Sequence, residues 1–319
     1  MRIGLIDVDA ESRGKVTFPN LPLMKLSAWH KKRGDSVEWY SPLLSGHMDL
    51  VYMARVFNDE YTHDYPYYVD ADRVIKGGSG YAINLNDDGR EEYHKELDKD
   101  LPCEIEHMYP DYSLYGITDT AYGFLTKGCP RGCHFCHVKD MQGRIVKEHS
   151  RLSEFWSGQK NIVLLDPNIT ASRNYFKHMQ ELADSKACVD FSQGLDARLL
   201  TAEKIKALNS VRWKMIHFAW DKPEEDLREQ FTTIAQTLHR FDRRRVSVYV
   251  LTNFSSTHEQ DLERVMFLRR LGYQPYVMIY NKDTAPKETR RLQSWVNNPF
   301  RFWASESFDD YVPGKRKER

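Results

Sequence analysis

The sequence predicts an α/β protein in which six strand–helix units over residues 121–298 follow a small doubly wound domain over residues 1–80. Three observations carry this. Short apolar runs alternate with stretches of helical period from residue 121 onward, the pattern of a parallel sheet with crossover helices. The chain has 319 residues, which at roughly 150 per domain suggests about two domains. Residues 81–120 are charged and irregular and read as a linker, and 299–319 read as a C-terminal extension with a basic tail. Lys+Arg and Asp+Glu both number 46, so bulk charge does not hold a polyanion here. Apolar residues at 41% exclude a wholly disordered chain. No run approaches the ~18–20 apolar residues of a membrane helix. The start, Met1 to Asp7, is too short and too soon acidic for a signal peptide. A soluble cytoplasmic protein with no membrane partner is expected.

In the first domain, Arg2–Ile6 is a strand running into Asp7. A helix follows over 21–33, with Leu21, Met24 and Ala28 on one face and Gly34 as its stop. Strands are expected over 36–40, 49–57 and 73–76, the last ending in Gly77-Gly78-Ser79-Gly80. That segment lacks the G-x-G-x-x-G spacing of a phosphate loop and reads as a tight turn. In the second domain the strands are 121–126, 161–165, 188–192, 214–219, 246–251 and 275–280. Helices are expected over 151–156, 172–184, 202–208 with Thr201 as N-cap, 224–241 after Pro223, and 287–296. Thr257-His258-Glu259-Gln260 reads as a capping box opening a helix to Leu271, closed by Gly272.

The chemistry is concentrated in the cysteines. Five occur, and Cys129, Cys133 and Cys136 fall within one short loop, Lys127-Gly128-Cys129-Pro130-Arg131-Gly132-Cys133-His134-Phe135-Cys136. An odd, low count in a long chain is not a disulfide framework, and clustering in a reducing compartment points to metal. Cys103 and Cys188 read as small core or linker residues. A structural zinc site wants four ligands, and no second cysteine pair exists, though His134 or His137 could complete one. An iron–sulfur cluster normally takes four cysteines. Three imply an exogenous ligand on the fourth iron, the open position a catalytic site keeps.

Cys-x₃-Cys-x-Phe-Cys, with Phe135 as its aromatic, resembles the signature of the radical S-adenosylmethionine (radical SAM) superfamily. The resemblance implies that Cys129, Cys133 and Cys136 bind a [4Fe–4S] cluster whose open iron chelates SAM. It further implies reductive cleavage to a 5′-deoxyadenosyl radical, Phe135 near the adenine, and an external one-electron reductant. The implied fold is a partial (β/α)₆ barrel with the cluster loop after its first strand, and six units from 121 to 298 match that count.

In such barrels chemistry sits at the carboxyl ends of the strands. Those ends carry Asp166-Pro167-Asn168, Gln193 to Arg198, Trp220-Asp221, Asn253 and Asn281. Asp166, Gln193, Asp196, Arg198 and Asn253 are the candidate SAM contacts. Arg198 is the candidate for the carboxylate, since guanidinium pairs with it bidentately. Asp166 stands where many family members carry Gly-Gly-Glu, a departure from the pattern. Asp221 and Asn281 read as caps or loop hydrogen bonds.

The first domain resembles the Rossmann-like cobalamin-binding domain that precedes the barrel in one radical SAM branch. The Asp-x-His-x-x-Gly segment of histidine-ligated cobalamin proteins is absent, and the matching region is Asp7-Val8-Asp9-Ala10-Glu11. Cobalamin is therefore admitted but not favoured. Two alternatives stand beside the leading expectation: a cobalamin-dependent radical SAM methyltransferase, and a non-catalytic zinc- or cluster-stabilised nucleic-acid module. The latter would draw on the 315–319 tail, Arg243-Arg244-Arg245, Arg269-Arg270 and Arg290-Arg291. Basic clusters are usually solvated, so nucleic acid is not expected. The substrate is not legible.

Overall fold

A computed structural model describes residues 1–16, 18–86 and 90–312. The basic tail at 315–319 and the Asp87-Asp88-Gly89 part of the charged stretch lie outside the described residues. The chain forms two compact units: Met1–Gly123 with His137–Gly143 and Ser150–Gln159, and Phe124–Cys136 with Arg144–His149 and the chain from Lys160 on. Both are mixed α/β with parallel sheets.

The first unit holds a sheet in the order Ser36–Trp39, Arg2–Asp7, Leu50–Ala54, Val74–Gly77, parallel at every pairing. Strand alternation puts Ile3 and Leu5 on one face, where they pack with Leu23, Leu26 and Leu50. Ile6 goes to the other face, with Tyr40, Met48, Val51 and Met53. The helix Leu21–Lys32 is capped by Asn20, whose side chain accepts from Leu23 N, and its last turn is basic, which suits the helix dipole. The Gly77–Gly80 segment, expected as a tight turn, is instead a strand end at Gly77 that passes through Gly78 into a short helix, Ser79–Ala82. Gly78 has φ of +101°, and a Cβ there would lie 2.4 Å from Arg55 O.

Residues 101–116, expected as linker, are packed into this unit. Ile105 is buried in the Ile3–Leu5 cluster, and Leu101 and Leu114 pack against it. Asp111 accepts from Ser27 Oγ at 2.6 Å and Lys31 Nζ at 2.6 Å. Residues 83–85 and 91–93 form a short antiparallel pair.

The six-stranded sheet runs in the order Gln274–Ile279, Val246–Thr252, Trp213–Ala219, Cys188–Phe191, Asn161–Leu164, Thr120–Gly123. Each strand neighbours its successor in sequence, as repeated βα units produce. One face is largely apolar: Val189, Phe191, Ile216, Phe218, Val246, Val248 and Val277 are all buried. Helices Tyr175–Ser185, Ala202–Ser210, Arg228–Thr237, His258–Arg270 and Lys287–Val296 alternate with the strands and bury Leu182, Leu208, Phe231, Val265 and Leu292. The Thr257–Gln260 capping box forms, and Thr201 caps its helix.

Three elements differ from expectation. The helix expected over 151–156 is a single 3₁₀ turn, Leu152–Glu154. The helix expected from 224 begins at Arg228, because Glu225 is held in a turn by Trp220 Nε1 on its carbonyl and Arg198 on its carboxylate. The segment beyond 298 adds a helix, Pro299–Ala304. Its Phe302 packs on Trp295 at 4.8 Å between ring centroids. No described helix is long and apolar enough to cross a membrane.

Candidate metal centre

The cysteine loop begins where a strand breaks. A strand was expected to run unbroken from 121 to 126, but it stops at Gly123, and Thr126–Lys127 pairs antiparallel with Lys147–Glu148. The cause is Asp166. Its carboxylate accepts from Leu125 N at 3.1 Å, Thr126 N at 2.5 Å and Thr126 Oγ1 at 2.7 Å, capturing donors a longer strand would give to its ladder. Burial pushes Asp166 up to about 6, against those hydrogen bonds and His178, which favour the charged form.

Past the break, Gly128 takes a φ of +95°, a conformation that favours glycine. Cys129, Cys133 and Cys136 are each half-buried, and Cys136 N donates to Cys133 O at 3.2 Å. Burial raises the Cys133 thiol, with Asp221, Cys136 and Cys129 adding to the rise and Arg198 opposing it. Cys133 thus lies within electrostatic reach of the other two thiols, Asp221 and Arg198. Among the described residues no group of three or more His, Cys, Asp or Glu side chains is gathered for a metal ion.

An ionic chain centred on the buried Asp196 anchors the loop. Arg131, between the first two cysteines, donates through Nε to Asp196 Oδ2 at 2.7 Å. Arg198 Nε donates to Asp196 Oδ1 at 2.6 Å, and Arg198 Nη1 to Glu225 Oε2 at 2.5 Å. Burial works to raise Asp196, but the two guanidinium groups outweigh it and hold its carboxyl below the ordinary value. Asp196 reaches this position through Gly194, at φ +91°, and through Leu195 N, which donates to His217 O at 2.7 Å.

Asn168 completes the constellation. It is 3% exposed, and Nδ2 lies 3.5 Å from Cys129 Sγ and 3.4 Å from Asp196 Oδ2. Its Oδ1 is buried with no hydrogen-bond partner. An unmet buried acceptor costs free energy, so this atom is placed for a donor that a ligand would bring.

The chain is similar to the radical S-adenosylmethionine methyltransferase TsrM from Kitasatospora setae, whose structure has cobalamin and a [4Fe-4S] cluster bound. The TM-score is 0.59 at 11% identity, over 87% of this chain and 74% of that one. The α/β fold is similar to that enzyme's. At this identity the likeness is one of fold, and function has to be argued from the site. No family profile and no curated protein matches the sequence.

The structure redistributes the residues singled out in the sequence. Cys129, Cys133, Asp196 and Arg198 come together. Asp166 is engaged by the segment leading into the loop rather than facing it, because the chain turns between it and Asn168 at Pro167. Arg198 is neutralised by Asp196 and Glu225, so two of its donors are committed. Gln193 is exposed in a turn and joins none of these bonds. Asn253, with φ of +60°, donates to Tyr280 O at 2.8 Å and Asn281 O at 3.1 Å, which ties two strand ends together. Asn281 accepts from Thr284 N, the loop bond expected of it. Phe135 packs edge-on against Phe254 at 5.6 Å, and Phe254 against Tyr280 at 4.9 Å. His137, a candidate fourth zinc ligand, is 3.1 Å from Glu91 Oε2, while His134 is exposed. Asn168 was the residue sequence reasoning missed. Its signal was a second polar side chain at the same strand end, but the turn at Pro167 decides which of the two faces the loop.

The arginine clusters are engaged within the chain. Arg243 lies over Trp303 at 4.5 Å, Arg269 over Phe302 at 4.9 Å and Arg291 over Phe308 at 4.4 Å. Arg244 pairs with Asp242.

Proposed function

We propose that this protein is a radical SAM enzyme, with a partial (β/α)₆ barrel and a small Rossmann-like domain before it. The observation that carries the proposal is Asn168 Oδ1, a buried unpartnered acceptor on the residue that touches Cys129, at the mouth of a three-cysteine loop. Three thiols with an Asn acceptor and two guanidinium groups nearby are the donor set for a cluster with an open iron and a zwitterionic co-substrate. Cys129, Cys133 and Cys136 would hold the [4Fe–4S] cluster. Such a cluster would supply the one-electron chemistry for reductive cleavage of S-adenosylmethionine, drawing on an external reductant.

The chain's own residues bind and orient. Arg198, fixed through Asp196 and Glu225, favours the thiolate at Cys133, since thiols must lose their protons to bind iron. Asn168 Oδ1 would be available to accept from the ammonium of SAM. Phe135 and Phe254 offer an apolar wall for the adenine and help exclude water.

The test is anaerobic reconstitution with iron and sulfide, then dithionite and SAM, assayed for 5′-deoxyadenosine. Wild type should produce it, and Cys129→Ala should bind less iron and produce none. A Cys129→Ala protein that assembles a full cluster and cleaves SAM would overturn the proposal, as would wild type that takes up zinc and no cluster.

Cobalamin-dependent methyl transfer is a second reading. It is supported by the cobalamin in TsrM and by the four parallel strands of the first unit. Saturable uptake of corrinoid absorbance at micromolar cobalamin is the expected result, and none at that concentration removes this reading.

A further inference from the structure

Parallel sheets are ordinarily apolar on both faces, and their strands read as continuous hydrophobic runs. The sheet of the second unit breaks this rule chiefly on one face. Asp190 stands in Cys-Val-Asp-Phe, His217 in Ile-His-Phe-Ala, and Ser247 and Tyr249 in Val-Ser-Val-Tyr-Val. Alternation and register put them on a common side. Asp190 is paired with Met215, His217 with Ser247, and Tyr249 with Tyr276. Residues i and i+2 share a face, so the row Asp190, His217, Ser247, Tyr249, Tyr276 is continuous. The residues between them, among them Val189, Ile216, Phe218 and Val248, are the buried core of the opposite face.

The row is built, not merely exposed. His217 Nδ1 and Ser247 Oγ are 2.6 Å apart, which fixes the imidazole. Its ring lies parallel to Tyr249, with 9° between planes and 5.4 Å between centroids. Tyr276 meets Tyr249 edge-on at 5.8 Å. Asp190 is close enough to His217 for each to shift the other's titration, yet no hydrogen bond joins them. Instead Asp190 Oδ1 is buried with no partner. This unmet carboxylate oxygen beside the imidazole is an acceptor that the donor of a flat ligand could meet.

We propose that this face is the substrate surface of the protein, and that it takes a planar group bearing an N–H or O–H donor, which stacks along the His217–Tyr249 plane and donates to Asp190. This deepens the radical SAM reading by naming the substrate class. It rests on that reading only for what is done to the ligand, since binding itself needs neither cluster nor SAM.

Three probes separate the requirements: benzamide is planar, neutral and a donor; cyclohexanecarboxamide keeps the donor but is not flat; benzoate is flat but charged and has no donor. Titrations of the full chain are followed by calorimetry or saturation-transfer NMR. Benzamide should bind saturably, and the other two about tenfold or more weakly, the loss expected when a buried polar group goes unmet. Asp190→Leu and His217→Gln should each weaken benzamide by about tenfold, with folding checked by circular dichroism. Equal binding of the three probes by wild type overturns the proposal whether or not the variants fold. So does a preference for benzoate, or no saturable benzamide binding up to about 20 mM, a range that spans ordinary fragment affinities. Benzamide binding in a protein that cleaves no SAM would refute the radical SAM reading and leave this one standing.

Discussion

Asp196 is the point at which the cysteine loop is fastened to the sheet, and its replacement tests that role quantitatively. Its side chain is 4% exposed and lies between Arg131 and Arg198. Substituting alanine removes two charge-assisted hydrogen bonds, each worth about 1.5–3 kcal/mol, and leaves two guanidinium groups near one another. Breaking a buried pair from one side costs about 3–5 kcal/mol. Arg198 keeps Glu225, however, and Arg131 is one-third exposed, so water recovers part of the loss. The net expectation is about 2–4 kcal/mol. A chain of 319 residues unfolds with roughly 0.7 kcal/mol/K of entropy, so Tm should fall by about 3–6 °C. Because Arg131 sits between two of the three cysteines, iron uptake on reconstitution should also fall, while Asp196→Asn should lie between. The measurements are a thermal melt of metal-free protein and iron content after reconstitution. An Asp196→Ala protein that melts within about 1 °C of wild type (under 1 kcal/mol by the same conversion) and loads iron fully would refute the anchoring argument.

Two further predictions concern stability alone. Arg264 and Asp261 are buried together, and Arg264 also donates to Trp220 O at 2.5 Å and Leu251 O at 3.0 Å. Arg264→Met should cost about 3–5 kcal/mol by leaving the Asp261 charge uncompensated, and adding Asp261→Leu should restore part of it in denaturant titrations. Asp166 has a folded-state pKa of about 6, raised above its ordinary 3.8 by burial. Its protonation therefore adds stability that is fully present below pH 3.8 and lost as pH rises through 6, on the order of 3 kcal/mol. The difference in stability between wild type and Asp166→Asn should accordingly change between pH 4 and pH 7 in metal-free protein, and a constant difference would contradict the burial account.

Much of the second unit was legible because its signals are local. β-branched runs such as Val246–Thr252, the Thr257–Gln260 capping box and the Thr201 cap depend on neighbours within four residues. The three-cysteine spacing is equally local, and its chemistry follows from residue type. The boundaries that went astray were set from a distance. The strand before the loop ends early because Asp166, some forty residues on, takes its donors. The Arg228 helix starts late because Arg198 holds Glu225 out of it. Residues 101–116, polar enough to read as a linker, are drawn into the first unit by Ile105 and by the Asp111 contacts with Ser27 and Lys31.

By itself the sequence determined the strand–helix alternation, the cysteine loop and the set of polar residues at the strand ends, since each is a property of periodicity or residue type. Only the tertiary structure decided which of those polar residues face the loop. Asp166 and Asn168 are two residues apart, and Asp190 and His217 belong to different strands. Their roles depend on the turn at Pro167 and on register across the sheet, which a run of neighbouring residues does not encode.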